Sequence, residues 1–500
     1  MGVIKKQAFQ SSILLYAGVI IGFVTTGLLA PNLLGKSEIG TLKLLQSYSS
    51  IFMSAGVLGF STVTLRFVPH FFNQIKQNYN GFIGISMLIG AIGSMFAVAF
   101  ILGIKPSIVE NNIEKSPQFA QYFFLIIPLT VFQIFYTLFD SYNNALYRSS
   151  FGIFLRDFVQ RILILIGLFL VFLNIFDFNR YIYYYTIALC LPTVLILLNL
   201  ARYKAFDVRI NLRFLNKPLI SSMASVGLFG LLNGFSGIAV VQIDTIMLNA
   251  FMDSDAVGIY AITFYFGALV LIPSRALNKI APTSIAKAFK DNDLEVVKDI
   301  YYKSAGNLFL IGTLILLGLA VNLENIFSII PESYKEGKYV ILLIGLANLI
   351  KMGAGSNDSV ITYSKYYRMT TVFLILLVVF LALLNVLFIP FYGITGAAIA
   401  SCIAVFAHNL IKYFFIRIRF GFDPYNYQYL LIVVLAGVVY FMVSLLPDIK
   451  NFITEIILDS TCTIVLYYLV IRFLPLAKEA DQFGRQLMSK AGRILKSKIK

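Results

Sequence analysis

The sequence predicts an all-α polytopic membrane protein with fourteen transmembrane helices, and three observations carry that prediction. The 500 residues are 59% hydrophobic and 13% charged, with a mean hydropathy of +0.83, whereas soluble proteins average about 45 to 50% apolar and about 25% charged. Fourteen runs have roughly the length, about 20 mostly apolar residues, that a helix needs to cross the hydrocarbon core. Lys and Arg rise and fall between successive connections, as they do in chains that cross a membrane repeatedly.

Charges, Pro and Asn/Gly clusters bound the expected spans near residues 10–30, 41–64, 82–103, 119–140, 152–173, 181–200, 219–248, 256–274, 304–321, 339–357, 369–389, 394–411, 428–446 and 453–471. With the N-terminus inside, 29 of the 40 Lys and Arg fall on connections assigned to the cytoplasm and 7 on the opposite side. The remaining four, Lys43, Arg156, Arg161 and Lys351, fall within spans. An error of one span early in the count would scramble this alternation, so both termini are expected inside. The net charge of +16 is then a cytoplasmic bias toward anionic lipid, and nucleic acid is not expected as a partner. No connection exceeds about 30 residues, which leaves no room for a soluble catalytic domain.

Along the chain, Lys5 and Lys6 precede an apolar run too long for a signal peptide, so an uncleaved first helix is expected. The following "APNLLGKSEIGT" contains the Gly-Lys-Ser of phosphate loops, but Ala30 stands where such a loop needs glycine, and no strand precedes it. It reads as a turn between helices, and no ATP site is expected. Cys190, Cys402 and Cys462 lie far apart in apolar stretches, and His70 and His408 are the only histidines, so no metal site or cofactor is expected. The prolines Pro128, Pro192, Pro273 and Pro282 are candidate kinks. "GITGAAIAS" offers a small-residue face of Gly393, Gly396, Ala397 and Ala400 for close helix packing. "RYIYYYT" suits the membrane interface.

The first six spans end at "ARYKAFDVRINLRFLNKP" and the next six near "HNLIKYFFIRIRFGFDP". Even numbers of spans give both halves the same orientation, which predicts parallel repeats about an axis along the membrane normal, with a cavity between them. The expected division is a six-helix bundle over residues 1–210, a second over 211–420, and two added helices with a basic tail over 421–500. "LLGKSEIGTL" and "FMDSDAVGIY" hold matching places in the two halves and align Gly40 with Gly258.

The stretches "GKSEIGTLKLLQSYSSIFMSAGVLGFSTVTLRFVPHF", "VVQIDTIMLNAFMDSDAVGIYAITF" and "NVLFIPFYGITGAAIASCIAVF" resemble the recurring patches of bacterial polysaccharide flippases. These are the O-antigen type transporters of the multidrug/oligosaccharidyl-lipid/polysaccharide (MOP) exporter superfamily. The resemblance runs over nearly the whole chain and implies a multi-pass protein of the bacterial inner membrane. It implies an undecaprenyl-diphosphate-linked oligosaccharide as cargo, moved from the cytoplasmic to the periplasmic leaflet for surface polysaccharide synthesis. Membrane lipids, and the polymerase and ligase of the same pathway, are the partners it implies.

Ionisable groups at membrane depth are costly, at least about 2.5 kcal/mol at a helix centre, so each needs a partner, a wet cavity or a function. Arg66 follows span two, and Arg275 and Lys279 follow span eight, equivalent places in the two halves. They are candidate cavity cations for a diphosphate, which suits the planar fork of arginine; cytoplasmic anchoring is the plainer reading. Arg156 and Arg161 with Asp157 begin span five; an Asp157–Arg161 ion pair along one helix face is the plainer expectation, and an arginine pointing inward as a further candidate cavity cation, with Asp157 as coupling or charge partner, is the other. Lys351, beside Gly353 and Gly355, is a cavity candidate on a helix able to unwind. Asp244, near Gln242 in "VVQIDTIML", reads either as a proton or cation site or partner of a cavity arginine, or as a polar group packed on the following turn. Asp140 is a further carboxylate within a span and a candidate coupling or charge-partner residue, and His408 and Lys412 are cavity or anchor residues.

Without ATP, coupling to H+, Na+ or the membrane potential is expected. An anion leaving an inside-negative cell gains roughly 2.3 kcal/mol per charge per 100 mV. The rival readings are a cation-coupled multidrug exporter of the same superfamily and a membrane polysaccharide polymerase or glycosyltransferase.

Overall fold

In hydrocarbon a backbone must satisfy its own hydrogen bonds, which a helix does within one segment, and every regular element among the described residues is helical. The computed structural model describes residues 17–72, 81–146, 148–202, 206, 208, 209, 216–447, 449, 451–472 and 474. The expected first helix before residue 17, much of the basic loop after 202 and most of the C-terminal tail lie outside the described residues.

The elements are α1 (Ala17–Leu33), α2 (Lys36–Gly56), α3 (Phe60–Phe67), α4 (Phe82–Asn112) and α5 (Pro117–Ala145). Next comes α6, made of Ser149–Ile153, the π-helical turn Phe154–Val159 and Gln160–Phe172. There follow α7 (Phe178–Ala201), α8 (Lys217–Phe251), α9 (Ser254–Leu271), α10 (Ser274–Lys290), α11 (Leu294–Val321) and α12 (Leu323–Ile329). The chain closes with α13 (Lys338–Gly353), α14 (Asn357–Tyr363), α15 (Met369–Phe420), α16 (Tyr427–Ser444) and α17 (Phe452–Ile471).

Among the described residues nine helices are long and apolar enough to cross a membrane, or eleven if each of two bent pairs is one span. The bent pairs are α2 with the helix continuing to Phe71, at 53°, and α13 with α14, at 49°. The second bend centres on Gly355, whose φ of +56° disfavours a side chain. Gly393 has φ +53° and ψ −132°, which breaks α15 into two arms three residues after Pro390. Gly396 then lies on the backbone of Phe388, where a Cβ would stand 2.2 Å from its carbonyl oxygen. These glycines of "GITGAAIAS" thus shape a turn of their own chain as well as a small-residue face. Pro192 and Pro282 lie inside helices, Pro128 follows a 3-10 turn, and Pro273 caps α10, where its missing N–H has no intrahelical partner to lose.

The described chain forms two compact units. Unit 1 comprises residues 1–262 with 378–397, and unit 2 comprises 263–377 with 398–500. In unit 1, Phe60, Phe71, Phe82, Phe139 and Tyr142 build an aromatic core, with Phe71 and Phe82 ring centroids 4.9 Å apart. In unit 2, Ile285, Val297, Tyr301, Val360, Phe373 and Ile416 form one core, while Val439 and Tyr467 of α16 and α17 pack with Leu317 of α11. Tyr467 Oη donates to the Leu310 carbonyl at 3.0 Å. Large apolar side chains such as Met95, Phe96, Phe100, Leu383, Phe391 and Ile418 are at least half exposed, an arrangement suited to lipid rather than water.

Candidate functional site

Three polar centres sit inside the helical frame, two in unit 1 and one in unit 2. Unit 1 also contains a close helix crossing. The N-terminal turn of α2 meets that of α9 through Gly40 and Gly258: a Cβ on Gly40 would lie 1.8 Å from Ser254 O, and one on Gly258 would lie 2.0 Å from Lys36 O. Ser37 Oγ and Ser254 Oγ share a hydrogen bond of 2.8 Å. Further along α2, Ser47 Oγ donates to Gln242 Oε1 of α8 at 2.9 Å. Asn249 of α8 accepts from Ser116 at 2.8 Å and donates to Asn112 Oδ1 at 2.7 Å. Polar pairs of this kind hold helices together where apolar contact gives no preference over lipid.

Asp244 lies two residues after Gln242 on α8 and is 5% exposed. Tyr260 Oη of α9 donates to Oδ2 at 2.8 Å, and Asn385 Nδ2 of α15 donates to Oδ1 at 2.7 Å. The carboxylate therefore joins three helices of unit 1. Asn385 is fully buried, and its own Oδ1 has no hydrogen-bond partner. A buried carboxylate beside a spare carbonyl oxygen is the donor chemistry of a hard cation site.

Asp140, Arg156 and Asp157 form the second centre, between α5 and α6. Asp140 Oδ2 accepts from Asn144 at 3.2 Å, while Oδ1 has no partner and would be 1.8 Å from a Cβ on Gly152. Arg156 and Asp157 are within electrostatic reach of it, and Arg156 Cζ stands 5.9 Å from the Tyr136 ring centroid. Among the described residues, the Asp157–Arg161 ion pair expected from α-helical spacing does not form; Arg161 Nη1 donates instead to Gly18 O at 2.6 Å. The reason is the π-helical turn over Phe154–Val159, which moves the aligned positions from four residues apart to five. Arg66 stands exposed at the end of α3, its Cζ 5.9 Å from the Phe67 ring centroid.

In unit 2, Lys351 lines a recess with Ser274 and Asn278 of α10 and with Ser356, Asn357 and Asp358 at the α13–α14 bend. Arg275 and Lys279 follow Ser274 and Asn278 in the chain; Arg275 is exposed, and the Lys279 side chain lies outside the described residues. Lys412 Nζ contacts Asp358 Oδ1 at 2.5 Å, and Asn357 Nδ2 donates to Asn409 Oδ1 at 3.2 Å.

No family model and no curated protein matches the sequence. Solved structures do. The lipid II flippase MurJ in an inward closed conformation superposes with a TM-score of 0.67 at 13% identity, over 93% of this chain and 99% of that one. The fold is that of the MOP-superfamily exporters. An inward-facing multidrug resistance MATE transporter of the MOP superfamily gives a TM-score of 0.58 at 12% identity, over 81% of this chain and 94% of that one. A MOP superfamily transporter from Pyrococcus furiosus with a binding pocket of reversed polarity gives 0.54 at 14% identity, over 84% of this chain and 96% of that one.

Within this MOP fold, Asn385, Tyr260 and Asp358 are polar residues at the centres that sequence reasoning passed over. Asn385 and Tyr260 lie inside quoted stretches, but Asn and Tyr carry no formal charge and so drew no functional reading. Asp358 fell one residue beyond the tenth expected span. A signal for it was present: Asp140 follows Gly40, and Asp358 follows Gly258, by the same 100 residues.

Proposed function

We propose that the chain is a flippase for an undecaprenyl-diphosphate-linked oligosaccharide, carrying it from the cytoplasmic to the periplasmic leaflet of a bacterial inner membrane by alternating access. The observation that carries this reading is the likeness to the lipid II flippase over 93% of the chain and 99% of the flippase. A MOP fold and the basic groups Lys351, within span ten, and Lys412, at the end of span twelve, support it further. Chemically, lysines attract phosphate oxygens, while the polyprenyl tail stays among the exposed apolar side chains.

Fourteen crossings with both termini inside complete the proposal. Support comes from a helix over each expected span, counting α6, the two arms of α15, and each bent pair as one. The proposed repeats, 1–210 and 211–420, are supported by the two-fold reciprocity of Gly40 and Gly258. That contact, between turns assigned to the periplasmic side, corresponds to a form closed outward.

Asp244 with Asn385 Oδ1 is proposed as the coupling site for Na+ or H+, which fits the buried oxygen pair described above. The membrane potential supplies a second source of work, since a dianion leaving the cell gains on the order of 4 to 5 kcal/mol at 100 mV. The same Asp244 favours the rival reading, a cation-coupled multidrug exporter, and the MATE likeness lends it support. The polymerase or glycosyltransferase reading gains no supporting observation.

Translocation of a fluorescent undecaprenyl-diphosphate oligosaccharide in proteoliposomes tests the proposal, with and without an imposed potential. Movement that accelerates with inside-negative potential is expected. Efflux of small organic cations with no movement of any glycolipid would assign the protein to the multidrug reading.

A further inference from the structure

Unit 2 contains two cations and one carboxylate around a single bend. The Lys412 side chain is 5% exposed and the Asp358 side chain 60% exposed, with their charged atoms 2.5 Å apart. An ammonium so enclosed requires an anion beside it. Asp358 supplies that anion from the rim, where its other oxygen remains accessible. Lys351 and His408 also stand within electrostatic reach of this carboxylate. Ser356 Oγ, in the same recess and 2% exposed on its residue, has no hydrogen-bond partner. With Lys412 paired to it and Lys351 within electrostatic reach, this one carboxylate meets more positive charge than it neutralises, and the recess beside it holds an unused buried hydroxyl.

The carboxylate also has a mechanical position. Asp358 is the second residue of α14, directly after the 49° break at which Gly355 takes φ +56°. Its bond to Lys412, and the parallel bond from Asn357 to Asn409, tie α14 to the second arm of α15. Either bond can be lost without breaking a helix.

We propose that Asp358 is a stand-in for a phosphate group of the cargo. A diphosphate takes Lys412 and Lys351 with its oxygens, receives the Ser356 hydroxyl, and displaces Asp358 into solvent. Repulsion between the bound phosphate and the displaced carboxylate then frees α14 from α15 at the break. This rests on the flippase reading and assigns the diphosphate, rather than the sugars, as the group that triggers movement of unit 2.

Inorganic pyrophosphate binding to the purified full-length protein, measured by calorimetry, tests the stand-in. Asp358→Asn removes the competing anion and is expected to tighten binding by at least about tenfold, since like-charge juxtaposition is costly. Lys351→Met is expected to weaken it. Asp358→Asn with Lys412→Met, which leaves no unpaired buried charge, is expected to lose the gain. An Asp358→Asn protein that binds no tighter, or a gain that survives loss of Lys412, overturns the proposal. Glycolipid translocation by the same variants separates it from the flippase reading. Wild-type transport left unchanged in the double variant overturns the stand-in while the flippase stands. The expected pyrophosphate series without any glycolipid transport supports the anion site and removes the cargo.

Discussion

Gly40 and Gly258 form the two sides of one reciprocal contact, each occupying the space where the other's helix turn leaves no room for a Cβ. Their aligned neighbours complete the reciprocity, because Gly40 faces Ser254 O and Gly258 faces Lys36 O, and Lys36 and Ser254 are themselves separated by the same 218 residues. The contact holds α2 and α9 at backbone distance, which small residues permit.

Gly40→Ala and Gly258→Ala are expected to destabilise this arrangement. Overpacking costs ~1–3 kcal/mol, so its population should fall by about tenfold in each variant. Cysteine cross-linking between residues 37 and 254, with and without the alanine, measures the fall. Equal cross-linking in both would show that the crossing tolerates a side chain.

Ser37→Cys with Ser254→Cys is expected to lock the crossing. The hydroxyl oxygens are already 2.8 Å apart, and a disulfide needs its sulfurs at about 2.05 Å with little backbone movement. With Cys190, Cys402 and Cys462 replaced first, mild oxidation should stop transport and a reductant should restore it. Transport that continues with the disulfide formed would show that α2 and α9 need not separate.

Asp244→Ala leaves Tyr260 Oη and Asn385 Nδ2 without their acceptor. Each buried donor left unmatched costs about 1–3 kcal/mol, so the melting temperature should drop clearly. Asp244→Asn keeps the shape and is expected to fold while losing any dependence of transport on a Na+ or H+ gradient. A gradient response that persists in the asparagine variant would move the coupling site elsewhere.

Glu324, on α12 outside the apolar spans, accepts from Lys338 and pairs with Lys335 at 3.1 Å. Hydrogen bonding from Lys338, then from Lys335, holds its carboxyl below the ordinary 4.5. The sign follows: a depressed carboxylate contributes stability that is present above the ordinary value and lost as pH falls through the folded one. The group is exposed, so the effect should be small. Thermal unfolding between pH 6 and pH 3 should show a slightly shallower acid loss in Glu324→Gln. An identical profile would mean that the pair contributes nothing.

Apolar run length made the helices legible in the sequence, because the hydrocarbon thickness fixes how many residues a crossing needs. The Gly40 and Gly258 alignment was legible for the same reason that it matters, since only close approach requires glycine in matching places. Asp244 was readable as a buried charge, but its partners were not: Asn385 is 141 residues away on α15, and sequence spacing says nothing about such a contact. The Asp157–Arg161 pair misled because a π turn leaves no mark in side-chain type. Lys412 gave an open choice between cavity and anchor, and only its 5% exposure beside Asp358 decides for an internal partner.

The crossing at Gly40 and Gly258 has the form of an isologous interface, the kind that joins identical subunits, carried within one polypeptide. The position that mirrors the Ser37–Ser254 bond is taken by Asp255 and Lys36, and among the described residues these form no ion pair. One side therefore carries a neutral bond where the other carries opposite charges. Both glycine contacts nevertheless share one local two-fold axis. An opening motion that preserves this reciprocity would part both contacts together.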